Sequence, residues 1–534
     1  MKRTFAFYAA AVLLLIPAVC SAATYYVSPS GNDSDPGSES KPFRTFQKAI
    51  STAQSGDTVF LKSGTYDLAG YTTTLYRPIS IVGEDKKTTV LTNGGTMTLH
   101  VPIKVKNLKF TNYSKASYND AVFRIASTAG EVVDGFSIEN CIFENVPCAL
   151  WAKNAAGPIK NLSIKNCTLS NISSSWSVQA IVIASTSNVS YIDISGNTLE
   201  NIYTTDPRHD AFGILIGKDE ALVVPDHITV SNNTINHLVG GTVYTSYYAA
   251  GRGVLLYGNY HLILNNVITD VNQSDAHNCI YIKGSYSTIA NNILHDCGST
   301  SGGSGDLTIK GNDNIGNVIS GNRITGDQTG GGFGIYTKGG VTIDNNYVRK
   351  TASGQGVFSF QLLGQVYKIT RNHIESPEAA IYLWNADNVL IQDNAAISYS
   401  GAPIYLNHVT GVTDNNNTKC TGYNCGKMDP PVATCQNTGY YCTSTCGSGN
   451  LSNLNSTCSS GMVCCDSYDA GPPASPTGFR ALIASAAGSC RARQMEFPDL
   501  SSPEPFSTIS RPDEAGSGGD SLQPGGFRVF PKWD

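Results

Sequence analysis

The segment "ITVSNNTINHL", Ile228–Leu238, contains two short apolar strands that alternate with polar residues and flank an asparagine pair. The same arrangement returns in "LILNNVITDV", Leu262–Val271, and in "STIANNILHDC", Ser287–Cys297. Alternation with a period of two, in segments rich in Ile, Val and Thr, favours β-strands over helices. We therefore expect a chain built from repeated pairs of strands.

Ten copies of this pattern lie between Val105 and Thr418, and their spacings run from 22 to 36 residues. The copies align on Asn140, Asn166, Asn197, Asn233, Asn266, Asn292, Asn322, Asn346, Asn372 and Asn394. A repeat of this length is one structural unit that must stack on its neighbours to bury its apolar face. The pattern predicts an all-β right-handed parallel β-helix, in which the recurrent asparagines form a hydrogen-bonded ladder at a turn and adopt left-handed backbone geometry.

One amphipathic helical segment precedes the repeats. It lies within "YYVSPSGNDSDPGSESKPFRTFQKAISTAQSGDTVFLKSGTY", Tyr25–Tyr66, and places Phe46, Ala49, Ile50 and Ala53 on one face. An open β-helix exposes the edge of its first coil, and a helix can cover that edge. We expect this segment to be the N-terminal cap.

This opening segment resembles the start of secreted pectate-lyase-like parallel β-helix proteins, which include lyases and epimerases of uronate polysaccharides. The resemblance covers about residues 24–418 and concerns the fold more than the reaction. It implies a lysine or arginine base in an exposed column of side chains, often with Ca²⁺ as cofactor.

The ends of the chain predict further segments. Residues 1–23 carry a basic start, a short apolar run and a small-residue cleavage site, as in a secretory signal peptide. Cys20 offers a lipoprotein alternative, but Val19 is a poor neighbour for a lipidated cysteine. We expect a protein that is secreted, extracellular or at the cell surface, with no inserted membrane segment.

Eight cysteines crowd into residues 419–465, which predicts a disulfide-rich module rather than a zinc site, because the stretch lacks histidine. Which of these cysteines pair stays open. Residues 466–534 are rich in Ser, Pro and Gly and are expected to form a linker and a disordered tail. The net charge of −5 argues against a nucleic-acid partner, and the sequence does not indicate an oligomeric state.

Three lysines occupy the same outward phase of successive strands in "CIYIKG", "LTIKG" and "FGIYTKGG". These residues are Lys283, Lys310 and Lys338. Parallel strands lie about 4.8 Å apart, so the ammonium groups of these lysines repel one another unless acidic residues or a polyanionic ligand offset their charge. Exposed lysines that only keep the strand soluble are the alternative interpretation.

Aromatic residues accompany this column. The lysine column also contains Tyr257, Gln361, Trp384 and Asn407, and the adjacent column contains Leu255, Tyr281, Thr308, Tyr336, Tyr382 and Tyr405. Tyrosine and tryptophan rings stack on sugar rings, and lysine or arginine pairs with carboxylates. The strip therefore predicts a groove for an acidic polysaccharide, with Tyr257, Tyr281, Tyr336, Tyr382 and Trp384 as substrate-binding residues.

β-Elimination at a uronate needs a base, an acid for the leaving oxygen and neutralisation of the carboxylate. A lysine between two lysines has a lowered pKa, so Lys310 is the first candidate base and Lys283 the second. Lys338, Arg252 and His277 complete the candidate catalytic set. Asp210, Asp275 and Asp306 precede or begin strands of this face and are the candidate ligands for Ca²⁺.

Asp206-Pro207-Arg208-His209-Asp210 resembles the Asp-Pro-His-acidic motif of uronate epimerases, but an inserted arginine breaks its spacing. Arg208 and His209 are candidate substrate-binding residues. A glycoside hydrolase that uses Asp275 and Asp306 is a further enzymatic alternative. A non-catalytic glycan-binding or adhesin-like protein is the alternative outside the enzymes.

Overall fold

The computed structural model describes residues 22–113, 120–153, 155–218, 224–240, 251–272, 277–297, 305–310, 314–326, 333–351, 356–360, 367–422, 441–443 and 463–465. Three long sheets dominate these residues, and every pairing within them is parallel. Successive strands of each sheet belong to successive coils of the chain. This confirms the right-handed parallel β-helix.

Each coil contributes strands to the three sheets in turn. Sheet 1 contains Thr24–Val27, Thr58–Leu61, Ser80–Gly83, Lys104–Lys106, Val133–Asp134, Ser137–Glu139, Ile159–Lys160, Ser163–Lys165, Val189–Ser195, Asp226–Ser231, Leu262–Leu264, Thr288–Ala290, Asn317–Ser320, Val341–Asp344, Tyr367–Thr370, Val389–Gln392 and Thr413–Asn415. Sheet 2 contains Gly64–Asp67, Thr89–Thr92, Lys109–Thr111, Ile142–Glu144, Thr168–Ser174, Thr198–Thr204, Thr234–Val239, Val267–Asn272, Ile293–His295, Arg323–Gly326, Tyr347–Lys350, His373–Ser376, Ala395–Ser398 and Thr418–Thr421. Sheet 3 contains Thr73–Leu75, Met97–Leu99, Phe123–Ile125, Leu150–Ala152, Val178–Ile183, Ala211–Ile216, Gly251–Tyr257, Asn278–Lys283, Gly305–Ile309, Phe333–Lys338, Val357–Phe360, Ile381–Trp384 and Ile404–Asn407.

Aliphatic side chains stacked in register from coil to coil form much of the interior. One such stack on sheet 1 is fully buried and contains Ile263, Ile289, Ile319, Ile343, Ile369 and Ile391. Full burial of one such side chain is worth roughly 1.5–3 kcal/mol. The alternation seen in the sequence therefore reflects inward residues that stack along the helix axis.

A buried asparagine ladder connects the coils. Nδ2 of Asn197 donates to Oδ1 of Asn233 at 2.9 Å and to the carbonyl of Ile164 at 2.9 Å. Equivalent bonds follow through Asn233, Asn266, Asn292, Asn322, Asn346, Asn372, Asn394 and Asn417. The hydrogen-bonded ladder is confirmed. Left-handed geometry, however, belongs to the residue before each rung, as in Asn291 with φ of 57°.

The alignment on Asn140 and Asn166 is wrong by one residue. Thr168 pairs with Thr198, which places Cys167 beside Asn197 and Asn166 beside Gly196. Asn140 and Asn166 are left-handed turn residues, with φ of 53° and 55°. The first two rungs are instead free, buried thiols, and the backbone N–H of Cys141 donates to Sγ of Cys167 at 3.4 Å.

The helix Phe46–Thr52 begins after Thr45, whose side chain accepts a hydrogen bond from the backbone N–H of Lys48. Phe46, Ala49 and Ile50 are buried, as predicted. The helix contacts the first two strands of sheet 1. This is the position expected of an N-terminal cap.

The predicted signal peptide, except for its last two residues, and almost all of the segment after Gly422 lie outside the described residues. Tyr441–Thr443 and Val463–Cys465 form an antiparallel pair within the cysteine-rich segment. The structure adds one disulfide that the sequence did not predict, between Cys279 and Cys297. No helix in the described ranges is long and apolar enough to cross a membrane.

Candidate functional site

The lysine column lies on the outer face of sheet 3, at the carboxyl end of its strands. Tyr257 pairs with Lys283, and the backbone N–H of Lys310 donates to the carbonyl of Ile282 at 2.9 Å. Pairing of Ile309 with Thr337 sets Lys310 beside Lys338. The three lysines are half-buried and occupy three successive coils. The predicted column is confirmed for them.

Beyond Lys338 the column differs from the prediction in one residue. Lys338 pairs with Phe360, and Phe360 pairs with Trp384. The predicted Gln361 therefore does not take this position, and it lies outside the described residues. Trp384 is 39% exposed. The lysine column therefore continues into apolar and aromatic residues.

The aromatic column runs parallel to the lysines, two residues earlier on each strand. Its register is continuous through Leu255, Tyr281, Thr308, Tyr336, Phe358, Tyr382 and Tyr405. Tyr382 and Tyr405 stack with ring centroids 5.1 Å apart, and Tyr405 is 47% exposed. Tyr336 is only 7% exposed and packs against Phe333. The most exposed rings of the two columns, Tyr405 and Trp384, therefore lie in the last coils.

Arg252 borders the aromatic column on the side away from the lysines. Its guanidinium carbon lies 4.7 Å from the ring centroid of Tyr281, and its Nε donates to Oδ1 of Asn278 at 3.3 Å. A guanidinium over a tyrosine face is a favourable cation–π contact. One face of Tyr281 is therefore covered by Arg252, which limits the predicted role of Tyr281 as a sugar platform.

Asn278 is a site residue that the sequence analysis missed. It is fully buried, and its Nδ2 donates to Oγ1 of Thr308 at 3.1 Å and to the carbonyl of Gly305 at 2.5 Å. These bonds connect the strand that carries Tyr281 to the next coil. The alternating pattern gave no signal for this residue, because the first three residues of the strand Asn278–Lys283 are all buried and do not alternate.

His277 does not reach the exposed strip, contrary to the prediction. It is completely buried, and its Nδ1 accepts the backbone N–H of Gly251 at 3.0 Å. Burial, together with the positive charge of Arg252, lowers the pKa of His277 to about 3. A neutral, buried imidazole supports the fold and is not placed to act on a bound polysaccharide.

Asp306 also lies inside the structure. Asp306 lies opposite Gly334 on the next strand of sheet 3. A Cβ atom added at Gly334 would lie 2.4 Å from the buried Val348 side chain, so this position of the strand faces the interior. Oδ2 of Asp306 accepts from Nζ of Lys350 at 3.0 Å, and burial raises the pKa of Asp306 to about 6. Its carboxylate is therefore committed to an interior ion pair that the sequence did not indicate.

The candidate metal ligands do not converge. Asp210 precedes the strand Ala211–Ile216, and Asp306 lies three strands further along sheet 3, about 14 Å away along the axis. Ca²⁺ ligands lie within about 2.6 Å of the ion, so these two carboxylates cannot share one. Asp275 lies outside the described residues. The residues described here do not fit the predicted Ca²⁺ site.

The Asp206–Asp210 segment lies at the opposite end of the sheet 3 strands from the lysines. Arg208 donates from Nε and Nη2 to Asp206 at 2.9 and 2.6 Å, and these hydrogen bonds hold the pKa of the Asp206 carboxyl well below its usual range. The His209 ring lies 5.3 Å from that of Trp176, which is 50% exposed. Arg208 and His209 therefore form a separate cluster and do not line the lysine strip.

Comparison with known sequences finds one family, described as a protein of unknown function (DUF1565), which matches residues 29–255, less than half of the chain. The uncharacterized protein YwoF of Bacillus subtilis (strain 168) is 26% identical over 250 residues. That match covers 46% of this chain and 42% of the relative. The chain therefore spans less than half the length of this relative.

Solved structures of similar fold include a rhamnogalacturonan lyase, with 16% identity, 51% of this chain covered, 81% of that chain covered and a TM-score of 0.32. They also include the catalytic unit of a thermostable GH87 alpha-1,3-glucanase from Streptomyces thermodiastaticus strain HF3-3, with 13% identity, coverages of 72% and 68% and a TM-score of 0.35. Similarities this distant carry no information about the activity of this chain.

Proposed function

We propose that the protein binds an acidic, uronate-containing polysaccharide along the outer face of sheet 3 and cleaves it by β-elimination. The observation that carries the proposal is the register of Lys283, Lys310 and Lys338 on three adjacent coils. Ammonium groups that repeat about every 4.8 Å along the axis can pair with successive carboxylates of a polyanionic chain.

The exposed rings of the two columns support a saccharide rather than another polyanion. Tyr405 and Trp384 are exposed in the coils that follow Lys338. Their rings can pack against the apolar faces of sugar units while the lysines hold the carboxylates. A polysaccharide running along the axis would contact both columns over several coils.

The reaction follows from the proposed base. Neutral Nζ of Lys310 takes the proton from the carbon next to the uronate carboxylate, and the electrons of that C–H bond form the new double bond. The C–O bond to the neighbouring sugar then breaks, and its oxygen takes a proton from the ammonium group of Lys283 or Lys338. Neighbouring ammonium groups stabilise the charge that develops on the carboxylate. No step requires Ca²⁺.

Site-directed variants separate catalysis from binding. Lys310→Ala is expected to lower turnover at least about 100-fold while affinity falls far less, because removal of a general base affects the transition state more than the bound state. Lys368→Ala is the matched control, because Lys368 is an exposed lysine on a strand of sheet 1. If Lys310→Ala and Lys283→Ala both retain parental turnover, neither lysine is the base and the proposal is wrong.

A non-catalytic glycan-binding protein is the competing proposal, favoured by the positions of His277 and Asp306. Both are buried, so two of the groups expected to assist catalysis do not face the groove. Binding without any product from the parental protein would establish this alternative. We also propose export from the cytoplasm, on the basis of residues 1–23.

A further inference from the structure

A polar cavity of about 540 Å³ lies on the N-terminal coils. Thr74, Thr98 and Arg124 line it in register on three successive strands of sheet 3. About five coils, or roughly 24 Å along the axis, separate Arg124 from the strand of Lys283. The cavity is therefore distinct from the lysine strip.

Two polar atoms in the lining are buried without a hydrogen-bond partner in the described part of the chain. They are Nε of Arg124 and the hydroxyl of Tyr113, a residue that is only 3% exposed. A buried donor without a partner costs about 1–3 kcal/mol. Two such donors at one cavity indicate that a ligand supplies the missing acceptors.

Glycines form part of the cavity wall. A Cβ at Gly94 would lie 2.5 Å from the ring of Tyr113, and a Cβ at Gly95 would lie 2.4 Å from Cγ2 of Thr72. Side chains at these positions would clash with the walls that define the space. Glycine at both positions therefore allows the backbone to pack closely against Tyr113 and Thr72, which line the cavity.

The lining matches a small anion that also carries hydroxyl groups. Arginine pairs with carboxylates and sulfates through charge-assisted bonds, and threonine hydroxyls exchange hydrogen bonds with sugar hydroxyls. The Asp120 carboxylate also borders the cavity and can accept from a sugar hydroxyl. The volume lies within the range of small-molecule sites.

We infer that this cavity binds one acidic sugar unit, with Arg124 holding its carboxylate and the threonines contacting its hydroxyls. The inference does not depend on catalysis at the lysine strip. The sugar can be a free uronic acid or the terminal unit of a longer chain, since both present the same chemistry to the cavity.

Isothermal titration of the full chain with galacturonate, glucuronate, galactose and glucose tests the inference. At least one uronate is expected to bind about tenfold or more tightly than its neutral counterpart. Titration with trigalacturonate and with triglucuronate distinguishes a site for a chain end from a site for the free sugar. A closed cavity excludes the trimer, and an open cavity accepts it. Equal affinity for acidic and neutral sugars, or no binding of either, overturns the inference.

Variants locate the binding. Arg124→Ala is expected to weaken uronate binding at least about tenfold, and Thr98→Val, which keeps the shape of the side chain, several-fold. Arg77→Ala is the matched control, because Arg77 is outside the cavity lining and contacts Gln54. Far-UV circular dichroism of each variant establishes that it is folded. Unchanged binding in folded Arg124→Ala, or in Thr98→Val if Arg124→Ala does not fold, contradicts the assignment.

Discussion

Nζ of Lys350 lies 3.0 Å from Oδ2 of Asp306, and the two side chains are 3% and 2% exposed although 44 residues separate them. The pair joins sheet 2 to sheet 3 inside the β-helix. Removing one member of a buried ion pair leaves the other charge uncompensated, which costs about 3–5 kcal/mol.

Lys350→Ala is therefore expected to lower the free energy of unfolding by about 3–5 kcal/mol. The double variant Asp306→Leu with Lys350→Met should lose much less stability, because it leaves no unpaired charge in the interior. Equilibrium unfolding in urea measures both. A loss below about 1 kcal/mol for Lys350→Ala would show that the pair does not form.

The asparagine pairs in the turns allow a matched comparison. Asn292→Ala removes a buried rung that bonds to Asn266, Asn322 and the Ile263 carbonyl, so a loss of about 3 kcal/mol is expected. Asn291→Gly changes the exposed left-handed residue just before Asn292, a position where glycine is well tolerated. This variant should change the free energy of unfolding by no more than about 0.5 kcal/mol. Similar losses at both positions would contradict the ladder.

The buried histidines predict how stability depends on pH. The pKa of His277 is lowered to about 3 by burial, below its ordinary value of 6.5, so its contribution to stability is full above pH 6.5 and is lost as the pH falls towards 3. Burial also lowers the pKa of His261, to about 4, so the contribution of His261 to stability is lost as the pH falls from 6.5 towards 4. Near pH 5 each histidine contributes a slope of about 1.4 kcal/mol per pH unit.

His277→Asn keeps an acceptor near the Gly251 N–H and removes the titrating group. The variant should therefore lose stability less steeply than the parent between pH 6 and 4, by about 1.4 kcal/mol per pH unit. The raised pKa of Asp306 acts in the opposite direction over pH 3.8–6, but equally in both proteins. Urea unfolding at several pH values measures the slopes, and identical slopes would refute the assignment.

The sequence predicted those parts of the fold that local patterns determine. Inward and outward strand residues were assigned correctly around Ile280 and Lys283, because alternation has a fixed period of two. The ladder was misaligned at Asn140 because a single asparagine fits either the left-handed turn position or the buried rung. In several later coils, as at Asn291 and Asn292, an asparagine pair fills both positions, and the ambiguity disappears.

Site residues that depend on loop length were less predictable. Phe360, rather than Gln361, follows Lys338 in the column because the buried Val357 pairs with the buried Ile335, which sets the phase of this strand. The Asp306–Lys350 contact joins two sheets across a separation of 44 residues, and no periodic pattern indicates it. Burial of His277 likewise depends on the packing of neighbouring coils.

The exposed rings of the last coils give a binding prediction. Tyr405→Ala should weaken binding of an acidic polysaccharide about tenfold, because it removes an exposed ring stacked on Tyr382. Tyr76→Ala removes an exposed ring near the N-terminal coils and serves as the control. Affinity electrophoresis compares the variants. Equal retardation of both variants and the parent would exclude the aromatic column from binding.

The most direct measurement for the proposed function follows the absorbance of an unsaturated uronate when the protein is incubated with pectate, alginate and glycosaminoglycans, with and without Ca²⁺. The lysine strip predicts that absorbance rises with at least one acidic polysaccharide and that the polymer shortens in parallel by chromatography. Shortened chains without absorbance would indicate hydrolysis instead. No absorbance and no shortening with any of these polysaccharides would contradict cleavage by β-elimination.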